Sequence, residues 1–297
     1  MTTVDTLTVG LIQHACVADS QANLDSSIQG IKEAAQGGAR LVLLQELHNS
    51  LYFCQSENPE YFSQAETIPG PTTERLSKLA RELKIVIVCS LFEKRAAGIY
   101  HNTAVVIENN GKIVGKYRKM HIPDDPGYYE KYYFTPGDLG FTPIKTSVTT
   151  LGVLICWDQW FPEAARLMTL SGAQLLLYPT AIGWEPTDTN EEKQRQFDSW
   201  QIMQRSHAIA NSIPVLSCNR TGEEISTTNN SVINFWGGSF VCGSQGEFIA
   251  QAPDSKDTVL LADINLHNIQ KTREIWPFLR DRRIDAYGDL LLRYRDL

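Results

Sequence analysis

No stretch of the 297-residue chain approaches the roughly 18 consecutive apolar residues of a membrane-spanning helix, so no membrane partner is expected. There is no basic block either. The net charge is −7, and the one basic cluster, RDRR at 280–283, carries its own aspartate and reads as a solvated or ion-paired segment. A phosphate backbone needs a concentrated basic surface, so a nucleic-acid partner is not expected. The opening MTTVDTLTVGLIQ lacks a basic leader and has only a brief apolar run, which argues against a secretory signal. None of the six cysteines (16, 54, 89, 156, 218, 242) falls at a CxxC or metal-ligand spacing, and a chain of this length buries a core without disulfide staples. A soluble protein of a reducing compartment, the cytoplasm, is the resulting expectation, and the sequons at Asn219 and Asn229 become chance matches. The histidines show no HExxH spacing and no glycine-rich phosphate loop is present. Neither a metal nor an organic cofactor is expected.

What is there is 42% hydrophobic and alternates between two periods. Strands are predicted at 7–13, 39–47, 84–94, 174–179, 213–219, 237–242, 247–250 and 258–264. Amphipathic helices are predicted at 21–36, 71–83, about 162–171 and about 190–211. TAVVIENNGKIVGKYRK reads as two short strands around Asn109-Asn110-Gly111, a strong hairpin signal. No linker, repeat or charge block marks a boundary, so residues 1–297 are expected to form one α/β domain, with more than one sheet layer between the helices.

Three chemically different groups stand at the carboxyl ends of predicted strands, where open α/β sheets place their sites. Glu46 follows LVLLQ, Lys119 closes the hairpin in GKYRKMHIP, and Cys156 ends LGVLIC. A neutral thiol is a poor nucleophile and needs a base, a cation or a helix start nearby. Pro162 and Glu163 suit a first helical turn, which puts Cys156 just ahead of one. A glutamate could take the thiol proton, and a lysine could stabilise the oxyanion formed when the thiolate attacks an amide. Taken singly, Cys156 reads first as a packed core thiol, and strand-end charges usually meet solvent or each other.

LLQEL, YRKMHIP and CWDQWFPEAAR resemble, in order and spacing, the three catalytic motifs of the nitrilase superfamily of carbon–nitrogen hydrolases. The resemblance runs from the first strand to FLRDRRIDAYGDL; one departure is Gln45, where many relatives have proline. It implies a four-layer α-β-β-α sandwich of two mixed sheets. It also implies Glu46 as general base, Lys119 as electrostatic stabiliser and Cys156 as nucleophile, with the Trp157 backbone N–H helping to hold the oxyanion. Glu130 in GYYEKYYFTPGD best matches the second glutamate of relatives and would hold Lys119. Homo-oligomers built from dimers are implied as well, with RDRRIDAYGDLLLRYRDL, within an arm of about 276–297, resembling the segment used in such contacts.

YRKMHIPDDPGYYEKYYFTPGD, CWDQWFPEAARLM and YPTAIGWEP look most like the branch that hydrolyses N-carbamoylputrescine to putrescine, ammonia and carbon dioxide. Such a substrate ends in an ammonium, for which Glu185 is the expected partner and Asp125 the alternative, with Tyr52 and the tyrosines around Glu130 lining its alkyl chain. Branches acting on carbamoyl amino acids would need an arginine for the carboxylate. Two other classes stay open: a thiol oxidoreductase, which lacks a visible resolving cysteine, and a catalytically silent binding protein, which would normally have lost one of the three groups. His48 and His121 are expected to hydrogen-bond around the site, Cys16, Cys89 and Cys218 to pack in the core, and Cys54 to lie near the pocket.

Overall fold

A computed structural model describes residues 6–296; Met1–Asp5, and Leu297 at the end of the C-terminal arm, lie outside it. In chain order the strands are β1 Thr6–Gln13, β2 Leu41–Leu44, β3 Val86–Ala96, β4 Ile99–Ile107, β5 Ile113–Arg118, β6 Ile144–Lys145, β7 Thr150–Val153 and β8 Leu175–Thr180. They continue with β9 Gly183–Trp184, β10 Val215–Asn219, β11 Thr221–Ile225, β12 Val232–Trp236, β13 Phe240–Cys242, β14 Phe248–Gln251 and β15 Thr258–Asn265. The helices are α1 Ser20–Gln36, α2 Pro71–Leu83, α3 Pro162–Leu170, α4 Asn190–Asn211 and α5 His267–Ile275.

Two six-stranded mixed sheets form the centre, in orders β15-β1-β2-β3-β4-β5 and β14-β13-β10-β8-β7-β6. β1, β2 and β3 run parallel, as do β10, β8 and β7, and antiparallel strands complete each sheet. The period-2 alternation of β2 shows why the sheets stack. Leu41 and Leu43 join the core between the sheets, whereas Val42 and Leu44 face Leu24, Ile31, Leu76 and Ala80 of α1 and α2. Buried on both faces, such a strand reads as a continuous apolar run. On the far side α3 and α4 cover the second sheet through Ala164, Met168, Trp200 and Ala208. The result is the expected α-β-β-α sandwich. Gly10 is required where α1 crosses β1, because a Cβ there would come within 2.7 Å of the Ala34 Cβ.

Helix boundaries follow their local chemistry. Asp19 caps α1 through Gln21 N–H, Pro71 opens α2, and Thr189 caps α4 by accepting the Glu192 N–H. Several elements were not expected: α5, the second hairpin partner region of β4 from Ile99, and a three-stranded sheet ordered β11-β12-β9. β9 is only two residues long and β11 reads TGEEI, so neither carries an alternating apolar pattern. No helix among the described residues is long and apolar enough to cross a membrane.

Candidate active site

The carboxyl ends of β2 and β8, central strands of the two sheets, meet at one edge of the sandwich, where the Glu46 N–H donates to the Thr180 carbonyl at 3.3 Å. β2 stops at Leu44, short of the predicted end at 47, and the chain turns through Leu47 at a φ of +49°. Glu46 is thereby buried just beyond its strand. Lys119 follows β5 directly, its N–H bonded to the Asn102 carbonyl at 2.9 Å and its carbonyl accepting from Gly137 at 2.8 Å.

The Lys119 ammonium is fully buried between two carboxylates, 2.8 Å from Glu46 Oε1 and 2.7 Å from Glu130 Oε2. Glu46 Oε1 also accepts from Asn102 Nδ2 at 2.7 Å, while Glu46 Oε2 is buried without a hydrogen bond. Glu130 Oε1 accepts from the Tyr52 hydroxyl at 2.6 Å. Burial alone would drive Lys119 towards neutrality; Glu130 and Glu46 outweigh it and hold the ammonium well above the ordinary lysine range. Burial lifts the Glu130 carboxyl to about 7, against the pull of Lys119.

Cys156 sits at a strand-to-helix turn whose local build differs from the simple expectation. β7 ends at Val153, and Cys156–Trp160 form a five-residue 3-10 turn before α3 begins at Pro162. Asp158 produces this turn: its Oδ2 accepts from the Ile155 N–H at 2.9 Å and from the Tyr117 hydroxyl at 2.8 Å. Its Oδ1 accepts from the His121 N–H at 3.1 Å and from His121 Nδ1 at 2.7 Å. One buried carboxylate thus ties the turn to the segment that follows Lys119. Cys156 takes a φ of +40°, a left-handed conformation that costs a non-glycine residue energy and has to be held by such anchors. Burial pushes the thiol well above the usual cysteine range, Glu46 adding to the push and Lys119 opposing it. The resting sulfur is therefore a thiol, 3.7 Å from the Ala181 carbonyl.

Cys156 and Glu130 line a cleft of about 780 Å³ together with Trp157, Trp160, Tyr128 and Trp236. Its mouth is acidic. Asp125, Glu185, Asp188 and Glu192 border it, and the one basic residue there among the described residues, Arg195, is paired with Glu192. Glu192, Arg195, Gln196 and Ser199 recur at helical spacing and present one face of α4 to the cleft.

Glu46, Lys119, Glu130 and Cys156 are thus brought together, Trp157 and Glu185 lie on the same cleft, and Tyr52 does not. Tyr52 is 1% exposed and packs behind Glu130, so it meets the carboxylate and not the cleft. Among the tyrosines around Glu130 only Tyr128 borders the cleft; Tyr133 joins an aromatic cluster with Phe53 and Phe92. His121 bonds Asp158 and stacks on Phe161 at 3.7 Å, whereas His48 is buried, neutral and bonded to Ser27. Cys54 is fully buried beside the carboxylates, and Cys16, Cys89 and Cys218 are core residues. Sequence reading missed Asn102, Asp158 and the α4 face. Asn102 was visible as a polar residue inside an apolar strand, but nothing in the chain links it to Glu46, 56 residues away.

A four-layer sandwich with an acid, an amine and a thiol gathered at the strand ends is the architecture of the nitrilase superfamily. The family model described as carbon–nitrogen hydrolase matches residues 8–274, and the chain belongs to that family; it is an amidohydrolase. It is 46% identical over 288 residues to the N-carbamoylputrescine amidase of Solanum lycopersicum, covering 96% of this chain and 95% of that one. It is 42% identical over 278 residues to the citrullinase of Francisella tularensis, covering 93% and 94%. A carbon–nitrogen hydrolase crystal structure from Helicobacter pylori G27 superimposes with a TM-score of 0.93 at 49% identity, covering 98% of this chain and all of that one.

Proposed function

We propose that the protein hydrolyses N-carbamoylputrescine to putrescine, ammonia and carbon dioxide through a thioester on Cys156. The observation that carries this reading is a thiol beside a buried acid–amine set at the inner end of a cleft whose mouth is acidic. Glu46 Oε2, buried and free of hydrogen bonds, takes the Cys156 proton as the sulfur attacks the carbamoyl carbon. The oxyanion is received by the Lys119 ammonium and the Trp157 N–H. The tetrahedral adduct collapses by breaking a C–N bond, and the leaving nitrogen takes the proton held on Glu46. Water then adds to the thioester carbon, giving its proton to Glu46. The C–S bond breaks as that proton returns to the sulfur, and the released carbamic acid falls to carbon dioxide and the remaining nitrogen product, putrescine or ammonia. Glu130 keeps the ammonium aimed throughout.

The substrate's distal ammonium meets the acidic mouth, with Glu185 as its partner and Asp125, Asp188 and Glu192 contributing to the field. Tyr128, Trp160 and Trp236 supply the apolar body for the alkyl chain. Arg195 favours a second reading, a ureido α-amino acid of the citrulline type, because it offers a cation for a carboxylate. Its pairing with Glu192 favours the diamine. The test measures kcat/KM for N-carbamoylputrescine, citrulline, N-carbamoyl-β-alanine and N-carbamoyl-D-amino acids side by side. A preference for any of the three carboxylate-bearing substrates overturns the diamine reading.

The reading includes a homo-oligomer built from dimers in the cytoplasm. It is supported by the arm after α5, which exposes Trp276, Phe278, Ile284, Leu290, Leu291 and Leu292, and by six cysteines that are all free. Light scattering on the purified chain tests the assembly, and a monomer refutes it.

A further inference from the structure

Outside the cleft, Arg220, which follows β10, is a fully buried charge that the chemistry leaves unused. The guanidinium is inaccessible to solvent. Its Nη2 donates to the carbonyls of Glu46 at 2.8 Å and Leu47 at 3.0 Å. Its Nη1 donates to the Ser50 carbonyl at 3.2 Å and to Glu224 Oε1 at 2.6 Å. Glu224, on β11, accepts the Tyr52 N–H on its other oxygen at 2.6 Å. The Tyr52 hydroxyl reaches Glu130, Glu130 reaches Lys119, and Lys119 reaches Glu46. The contacts therefore close on themselves. Starting from the Glu46 backbone, they run through Arg220, Glu224, Tyr52, Glu130 and Lys119 to the Glu46 side chain.

Stability is a weak reason for such a pair, because a buried ion pair is often no better than well-packed apolar residues of the same size. What the pair does locally is specific. The segment from Glu46 to Tyr52 includes Leu47 at a φ of +49°, and Arg220 holds three of its carbonyls. A planar fork of donors can do this; a single ammonium cannot.

We propose that Arg220, Glu224 and Tyr52 are positioning residues that lock the two active-site carboxylates in register. Arg220 sets the Glu46 backbone, and Tyr52, held by Glu224, sets the Glu130 carboxylate that aims the Lys119 ammonium. The proposal rests on the catalytic reading of Glu46, Lys119 and Glu130 given above. Misplacement of a reacting group by about 1 Å costs on the order of a hundredfold in rate.

The experiment compares Glu224→Gln and Tyr52→Phe with the wild-type chain and with Glu46→Gln. Each is assayed for kcat and KM on N-carbamoylputrescine across pH, with thermal unfolding in parallel. Glu224→Gln keeps the side-chain size but removes the charge facing Arg220, and kcat should fall by roughly ten- to a hundredfold with KM within about threefold. Tyr52→Phe leaves the ion pair in place and decides the question should Glu224→Gln not fold. The charged and titratable groups facing Glu130 are Lys119, Glu46, Tyr52, Cys54 and Cys156. Removing the phenol takes away a hydrogen bond that favours the ionised carboxylate, so the acid limb of kcat/KM should move to higher pH. Unchanged kcat in a folded Glu224→Gln, or an acid limb of Tyr52→Phe that coincides with the wild type's, overturns the proposal. Full turnover by Glu46→Gln would remove the catalytic reading itself. An inactive Glu46→Gln beside unaffected Glu224→Gln and Tyr52→Phe would remove only the positioning role.

Discussion

Replacing Lys119 by alanine tests the electrostatics of the site at its centre. The ammonium lies 2.8 Å from Glu46 and 2.7 Å from Glu130, and none of the three side chains is exposed. At an effective dielectric of about 20 each contact is worth about 6 kcal/mol before desolvation is counted. After desolvation, breaking a buried pair from one side typically costs about 3–5 kcal/mol, because the partner charge is left behind. Here two carboxylates would be left facing each other, and they relieve the repulsion by taking up a proton. In the intact protein burial already raises Glu130 from 4.5 to about 7 against the pull of Lys119. Without that pull its folded-state value rises further. An acid raised in this way binds its proton more tightly folded than unfolded. Its contribution is therefore fully present below the unfolded value near 4.5 and is lost as pH rises through the folded one. The stability difference between wild type and Lys119→Ala, measured by urea unfolding, should consequently be smallest near about pH 5 and grow towards about pH 8. Turnover should fall on the order of a hundredfold or more, since a cation is removed from the developing oxyanion. A variant within tenfold of wild-type kcat, or a stability gap that does not change with pH, would refute this reasoning.

Cys156→Ser should abolish turnover while circular dichroism and unfolding stay near wild type, because a hydroxyl beside a carboxylate base is a far weaker nucleophile. Iodoacetamide should alkylate Cys156 before the other five cysteines, since it alone of the six borders the cleft, and faster as pH rises because its thiol is held above the usual range. Peptide mass spectrometry that finds another cysteine modified first would count against it. Glu185→Gln should raise KM for the carbamoyl diamine by roughly ten- to a hundredfold with a smaller change in kcat, and equal KM values would move the ammonium site elsewhere. Asp158→Asn puts an amide where four donors converge. It should cost about 1–3 kcal/mol of stability and lower kcat by loosening the Cys156 turn, and thermal unfolding together with kinetics at wild-type values would exclude the anchoring role.

Much of the layered core was legible because its determinants are local. The continuous apolar runs of β2 and β3 already say that both faces are covered, and Pro71, Pro162 and the capping residues around α1 and α4 set helix starts within a few residues. The hairpin at Asn109-Asn110-Gly111 is of the same kind, as its turn chemistry is written in adjacent positions. β9 and β11 escaped because two- and five-residue strands without apolar alternation are recruited by pairing with β12, a long-range event. Strand ends near the site were overextended for a related reason. At Ile155 the backbone N–H goes to the Asp158 side chain instead of a neighbouring strand, and the ladder stops.

Residue types and their order along the chain determined the alternation of strands and helices and marked Glu46, Lys119 and Cys156 at predicted strand ends, because such motifs survive as short contiguous signals. The four-layer arrangement and Glu130 were implied by the family resemblance of those motifs. Only the tertiary structure decided what those groups face. It placed Tyr52 behind Glu130 and not beside the cleft, brought Asn102 onto Glu46, and turned one face of α4, with Glu192 and Arg195 paired, towards the cleft mouth. Arg220 and Glu224 became partners of a segment some 170 residues earlier in the same way. The physical reason is that a buried polar group takes whichever partner the packed backbones bring within hydrogen-bonding distance, and sequence separation carries no information about that distance.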